Sequence, residues 1–263
     1  MLARRTVFAF VASLAFPVFP ASAQDRSQSR SMVSSTMGVV ASESVLASQV
    51  GARILEQGGN AIDAAVATNA MMGLVAPMND GIGGDLFAII YIAKTGKLYG
   101  LNASGWAPTA LTADYLRGKG ITKMPSRGIN TVTVPGAVDG WAKLLTRFGR
   151  KSMAQVLAPS IDYATNGFPV GEVVSVYWKD SEDVLKEDAR TAQTFLPGGR
   201  PPKAGEVFRN PDLAWTYRQI ATGGTTAFYK GAVAQKILAR GDIEASHVGP
   251  NMPRPLRSLN PWV

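Results

Sequence analysis

The chain has 263 residues, of which 46% are hydrophobic and 17% charged, enough apolar material for one large domain or two small ones. Its formal charge is +8, but Lys and Arg are spread along the chain without a basic run carrying interleaved aromatics, which argues against a nucleic-acid partner. There is no cysteine and a single histidine, His247, so thiol chemistry, thiolate metal sites, His-based triads and His metal clusters are all excluded on inventory.

The first element is a targeting signal. Arg4 and Arg5 precede an apolar run over residues 7–19, and Ala21-Ser22-Ala23 follows with the small-residue spacing of a bacterial secretory cleavage site. The run is short for a spanning helix and is interrupted by Pro17 and Pro20. The expectation is a signal peptide over 1–23, periplasmic or secreted localisation, and no membrane segment after its removal. Residues 24–32 read as a flexible polar leader, 33–240 as the folded domain, and the proline-rich 241–263 as a disordered tail.

Within the domain, Val39-Val40 reads as a short strand and Ser42 as the N-cap of a helix, with Ser44 close behind. Helical spacing then runs Val45, Leu46, Gln49, Val50, Arg53, Ile54, and Gly58-Gly59 supplies the stop. Asn60 is a suitable cap for a second helix, Ala61 to about Gly73, whose one charge, Asp63, sits where the helix dipole favours it. That helix carries small and apolar residues on every side, so it belongs inside the protein, packed on a sheet. Leu86 to Ile92, a turn over Lys94-Thr95-Gly96-Lys97, and Leu98 to Leu101 spell a β-hairpin.

Later, "TVTV" reads as a strand leading through Pro135-Gly136 into a helix. Helices follow from "SMAQVLAPSIDYATN" with a stop at Gly167, from "NPDLAWTYRQIATGG" with Asn210 as cap, and from "GAVAQKILAR". The Gly81-Ile82-Gly83-Gly84-Asp85 loop runs from a helix into a strand, the wrong order for a dinucleotide fingerprint, and reads as backbone crowding at a sheet edge. Thr225-Thr226 has no evident base and reads as part of a loop between helices. Carboxylates show no paired spacing of a metal or glycosidase site.

Several ordered segments rise above this background. "MVSSTMGVVASESVLASQVGARILEQGGNAIDAAVATNAMMGLVAPMNDGIGGDLFAIIY", then "TVPGAVDGW", "FGRKSMAQVLAPSIDYATNGFPV" and "TTAFYKG" resemble the large-subunit portion of the γ-glutamyltranspeptidase family, over about residues 32–240. The resemblance implies an α/β fold, the αββα sandwich of N-terminal nucleophile hydrolases, of which this chain holds only the large-subunit part with a helix-rich C-terminal half. It implies a precursor cut into two subunits, the new N-terminal threonine of the small subunit attacking a γ-glutamyl amide with its own amine as base. No metal and no organic cofactor is implied. The partners implied are the small catalytic subunit and a γ-glutamyl or other acyl-amide small molecule. By this reading no catalytic residue lies in the chain, Gly83-Gly84 are not the oxyanion-hole glycines, and the chain alone is inactive.

Two departures qualify the resemblance. The sequence from Gly241 leaves the family's continuation, as a frameshift or early stop produces. Glutamyl-selective members also carry an Arg-Glu pair shortly before an Ala-Pro, where this chain reads Asn102-Ala103-Ser104-Gly105-Trp106-Ala107-Pro108. Ser104 falls at the Arg and Gly105 at the Glu, so a charged clamp on a substrate carboxylate becomes a neutral hydroxyl, a loss of about 2–5 kcal/mol in binding. Asn102, Ser104, Gly105 and Trp106 are therefore the candidate substrate-binding residues. A related acylase with non-glutamyl specificity, and a truncated non-catalytic remnant or periplasmic binding protein, stay open as alternatives.

Overall fold

The computed structural model describes residues 32–109 and 111–239; the expected signal peptide, most of the leader and the expected tail lie outside them. Residues 32–34 belong to a separate N-terminal unit, and the architecture below concerns Ser35 onward.

The first helix, α1, is Val45–Glu56 and buries Ala47, Val50, Gly51, Ile54 and Leu55, the i, i+3, i+4, i+7 stripe of an amphipathic helix. Its cap differs from expectation. Ser44, not Ser42, is the N-cap, and Ser42 instead donates its hydroxyl to the Ser44 carbonyl at 2.8 Å and meets the Ser48 hydroxyl at 2.8 Å. The helix ends as read: Gly58 takes φ +82°, with Gly58 N bonded to Leu55 O and Gly59 N to Ile54 O, the paired closure of a Schellman turn.

Asn60 caps α2, Ala61–Val75, two residues longer than read. Its Oδ1 accepts from the amides of Ile62 and Asp63, while Asp63 Oδ2 accepts from Asn60 N at 2.8 Å, a complete capping box. Ten of its fifteen residues are buried, which fits a core helix. Asp63 reaches further than a dipole partner needs to: fully buried, it also accepts from the amides of Arg150 and Lys151 at 2.9 and 3.1 Å. Asn60 Nδ2 donates to Phe148 O at 2.6 Å, so the start of α2 is tied to a turn almost ninety residues on.

The hairpin forms where expected, β1 Leu86–Ile92 against β2 Lys97–Ala103, antiparallel, with Leu86 opposite Ala103 and Ile92 opposite Lys97. Period-2 alternation turns Leu86, Ala88, Ile90, Ile92, Leu101 and Ala103 towards the core. It leaves Phe87, Ile89, Tyr91 and Leu98 on the outer face, between 63 and 82% exposed.

A short α3, Ala113–Gly118, precedes a 3₁₀ turn at Ile129–Thr131 and then α4, Ala137–Phe148, and α5, Met153–Asn166. The strand expected just before Pro135 is absent, as is the one at Val39-Val40. Both runs have β propensity but no ladder partner among the described residues, and propensity without pairing does not make a strand.

Beyond the stop at Gly167, with φ +99°, a two-residue strand β3, Phe168–Pro169, pairs with β4, Val207–Phe208. Between them lie three short helices that the sequence did not announce: α6 Glu172–Asp180, α7 Glu182–Lys186 and α8 Ala189–Phe195. They are organised by Trp178, which donates Nε1–H to Phe195 O at 2.7 Å and packs edge-on to Phe208 at 4.7 Å.

The long helix α9, Pro211–Tyr229, starts at its Asn210 cap and breaks at Gly224, with φ +57° and ψ −148°. Thr225 and Thr226 are therefore in a helical turn after that kink rather than in a loop. The last described helix, α10, is Ala232–Leu238. Helix α2 lies at the centre, against α1, α4 and α5, with α9 packed along α5 and reaching α2 through Tyr217.

Candidate functional site

The candidate strip is where β2 leaves the sheet. Asn102 lies on β2 opposite Phe87, hence on the outer face. Its Oδ1 accepts from Ser104 N at 2.9 Å, which turns the chain out of the strand. Continuing the register one step sets residue 85 opposite residue 104, and the structure uses that position. Asp85 Oδ2 accepts from the Ser104 hydroxyl at 3.1 Å, and Oδ1 accepts from Gly105 N at 2.7 Å. One carboxylate thus holds both Ser104 and Gly105.

The strip is fixed from behind by the approach to α4. Val134 N donates to Trp106 O at 2.9 Å, and the amides of Gly136 and Ala137 donate to Gly84 O at 2.9 and 3.0 Å. A Cβ at Gly105 would overlap the Val134 carbonyl, and one at Gly136 would overlap the Ala103 carbonyl. So Gly105 is required by close packing, which is why no side chain of any charge stands there. The crowding expected at the loop before β1 is therefore misplaced: Gly81 and Gly83 have open space beside them. Trp106 is 53% exposed.

Of the four residues chosen from sequence, the structure brings Ser104 and Gly105 onto the Asp85 carboxylate, ties Asn102 to Ser104 N, and places Trp106 next along the chain. The residue that sequence reasoning missed is Asp85. The hairpin register was the available signal, since fixing Leu86 opposite Ala103 implies the next pair outward.

A second polar arrangement is buried under α2. Asn69 donates Nδ2–H to Asp80 Oδ2 and accepts from Trp141 Nε1, both at 2.7 Å, while the Tyr217 hydroxyl donates to Ala70 O at 2.8 Å. Burial pushes the Asp80 carboxyl up from its ordinary range, opposed by the Gly81 amide. Burial first, then the Asp80 charge, holds the Tyr217 phenol well above its usual value. These groups satisfy one another and act as scaffold. An open cleft of about 670 Å³ runs between residues 37–41 and the α1–α2 corner, edged by Arg150, and none of its lining belongs to the strip. No group of three His, Cys, Asp or Glu residues that could hold a metal exists among the described residues.

With that geometry in hand, comparison with known proteins decides the family. A family model described as Gamma-glutamyltranspeptidase matches residues 47–247, about three quarters of the chain. The chain belongs to the gamma-glutamyltranspeptidase family.

Among curated relatives of this γ-glutamyltranspeptidase-family chain, the Glutathione hydrolase-like YwrD proenzyme of Bacillus subtilis is 41% identical over 205 residues, covering 78% of this chain and 39% of the relative. Among solved structures, the gamma-glutamyltranspeptidase of Helicobacter pylori superposes with a TM-score of 0.75 at 32% identity, over 80% of this chain and 61% of that one. A cephalosporin acylase from Bacillus halodurans superposes with the same TM-score at 39% identity, over 88% of this chain and 42% of that one. The α/β fold class expected from the resemblance, that of N-terminal nucleophile hydrolases, is therefore the fold of this chain. The chain spans well under half the length of the curated relative described above. No helix among the described residues is long and apolar enough to cross a membrane.

Proposed function

We propose that this chain is the large-subunit segment of an exported γ-glutamyltransferase or glutathione-hydrolase-like enzyme. It cleaves or transfers γ-glutamyl or related acyl amides, the attacking N-terminal threonine lying outside these residues. The observation that carries the reading is the outer face of the hairpin. Phe87, Ile89, Tyr91 and Leu98 present a regular apolar row to solvent, and a sheet face of that kind calls for a second layer. In this reading the small catalytic subunit supplies that layer, and with it the nucleophile and its amine base. The substrate meets the strip formed by Asn102, Ser104, Gly105 and Trp106.

A second reading, a related acylase that does not select glutamyl groups, is favoured by a specific observation. Ser104 stands where a carboxylate clamp needs an Arg, and its hydroxyl is bonded to an acid.

The test is turnover of γ-glutamyl-p-nitroanilide by the purified chain, alone and co-expressed with the small subunit of a relative. The reading expects none alone and measurable release of p-nitroaniline with the partner. Turnover by the chain alone overturns the placement of the nucleophile elsewhere. Silence with a partner that demonstrably binds supports the acylase reading if a non-glutamyl p-nitroanilide is cleaved, and a non-catalytic remnant or binding protein if none is.

A further inference from the structure

We propose that Asp85 sets the substrate class at the strip, which accepts acyl groups that are neutral or positively charged and bear a hydrogen-bond donor, and turns away acyl groups ending in a free carboxylate. The inference rests on the second reading above, an acylase that does not select glutamyl groups and whose substrate meets the strip, and it deepens that reading by naming what the strip selects.

The argument is an inventory of donors and acceptors. A serine hydroxyl has one proton. That of Ser104 is given to Asp85 Oδ2, so Ser104 offers a ligand only lone pairs. The Gly105 amide is likewise committed to Asp85 Oδ1. What faces outward is an acceptor-rich corner carrying one negative charge, and Asp85 forms no ion pair with a cation among the described residues. A carboxylate arriving here would meet lone pairs and like charge at once. An ammonium or amide N–H would meet acceptors.

The corner cannot be neutralised locally. No side chain fits at position 105, because it would overlap the Val134 carbonyl. The register that sets residue 85 opposite residue 104 is fixed by the whole hairpin. Asn102 has its oxygen engaged by Ser104 N, and its Nδ2 makes no hydrogen bond among the described residues, which leaves a neutral amide donor for a carbonyl of the ligand.

Three probes of matched length separate the possibilities: 5-aminopentanamide, pentanamide and glutaramate. They are titrated into the full chain while the backbone amide of Gly105 and the side-chain amide of Asn102 are followed by NMR. Two unit charges about 4 Å apart in water interact by about 1 kcal/mol, roughly fivefold in affinity, so each step of the order cation, neutral, anion should be about fivefold. The Asp85→Asn variant keeps an oxygen for Gly105 N and removes the charge. It should bring the cation and anion within about twofold of each other.

The native chain gives an independent reading. Raising NaCl from about 0.01 to about 1 M shortens the screening length from about 30 to about 3 Å and should compress the same ratio. A native preference for glutaramate, or a cation-to-anion ratio unmoved by both the variant and salt, overturns the inference and leaves the strip as the substrate site. If none of the three probes moves either resonance, the strip itself is misassigned and the inference falls with it.

Discussion

Replacing Asp63 by Ala tests whether the start of α2 is a structural keystone or merely a well-capped helix. The carboxylate is fully buried and accepts from three backbone amides, those of Asn60, Arg150 and Lys151. Hydrogen bonds to a charged group contribute about 1.5–3 kcal/mol each, so the lower figure for three bonds gives about 4.5 kcal/mol. Arg150 and Lys151 lie near the surface, where water can replace part of what is lost, which brings the expected cost to about 3 kcal/mol. For a protein of this size that lowers the melting temperature by about 6–12 °C. Asp63→Asn keeps one acceptor but points an NH₂ at other donors, and should cost about 2 kcal/mol. Urea and thermal unfolding followed by circular dichroism measure both. Hydrogen exchange at Arg150 and Lys151 should quicken in each variant. An Asp63→Ala protein within about 0.5 kcal/mol of the parent refutes the reasoning, because only a surface cap is that dispensable.

Gly105→Ala should destabilise by about 2–4 kcal/mol, since its Cβ meets the Val134 carbonyl and breaks the Val134–Trp106 bond, whereas Gly83→Ala should stay within about 0.5 kcal/mol; equal effects would refute the packing assignment. Ile89→Lys combined with Phe87→Glu should raise the monomeric fraction of the isolated chain in light scattering, because these side chains sit in an exposed apolar row; unchanged association would show that another surface drives it. The phenols of Tyr217 and Tyr229 are both held above their ordinary range, chiefly by burial. The unfolded chain therefore releases these protons at lower pH than the folded one, so stability is intact below about pH 10 and falls as pH rises beyond it. Absorbance at the phenolate band should show two tyrosines that ionise only as the protein unfolds, and early ionisation of all tyrosines would contradict their burial.

What could be read in the sequence was what short-range chemistry determines. The caps at Asn60 and Asn210, the stops at Gly58 and Gly167, and the hairpin with its turn at Gly96 each depend on residues a few positions apart. Helices α6 to α8 could not be read that way. Their order comes from Trp178, whose partners Phe195 and Phe208 lie 17 and 30 residues on. The false strands at Val39-Val40 and before Pro135 fail for the complementary reason, that a strand is a property of two segments. The site divides along the same line. Asn102, Ser104, Gly105 and Trp106 were candidates on a local motif, whereas Asp85 is brought to Ser104 only through the pairing of β1 with β2.

That pairing links the fold to the polar corner. The alternation that turns Ile90, Leu101 and Ala103 into the core also places Phe87, Ile89, Tyr91, Leu98 and Asn102 on the opposite face. Continued outward, it brings Asp85 and Ser104 to the end of that same face. A slip of one residue would expose the core row and separate the carboxylate from the hydroxyl it holds, so the hydrophobic pattern protects the polar corner. It also follows that any layer laid over Phe87 and Ile89 borders Ser104 and Asp85 directly. The chemistry such a layer brings and the charge this chain offers then share one boundary, and neither can shift without the other.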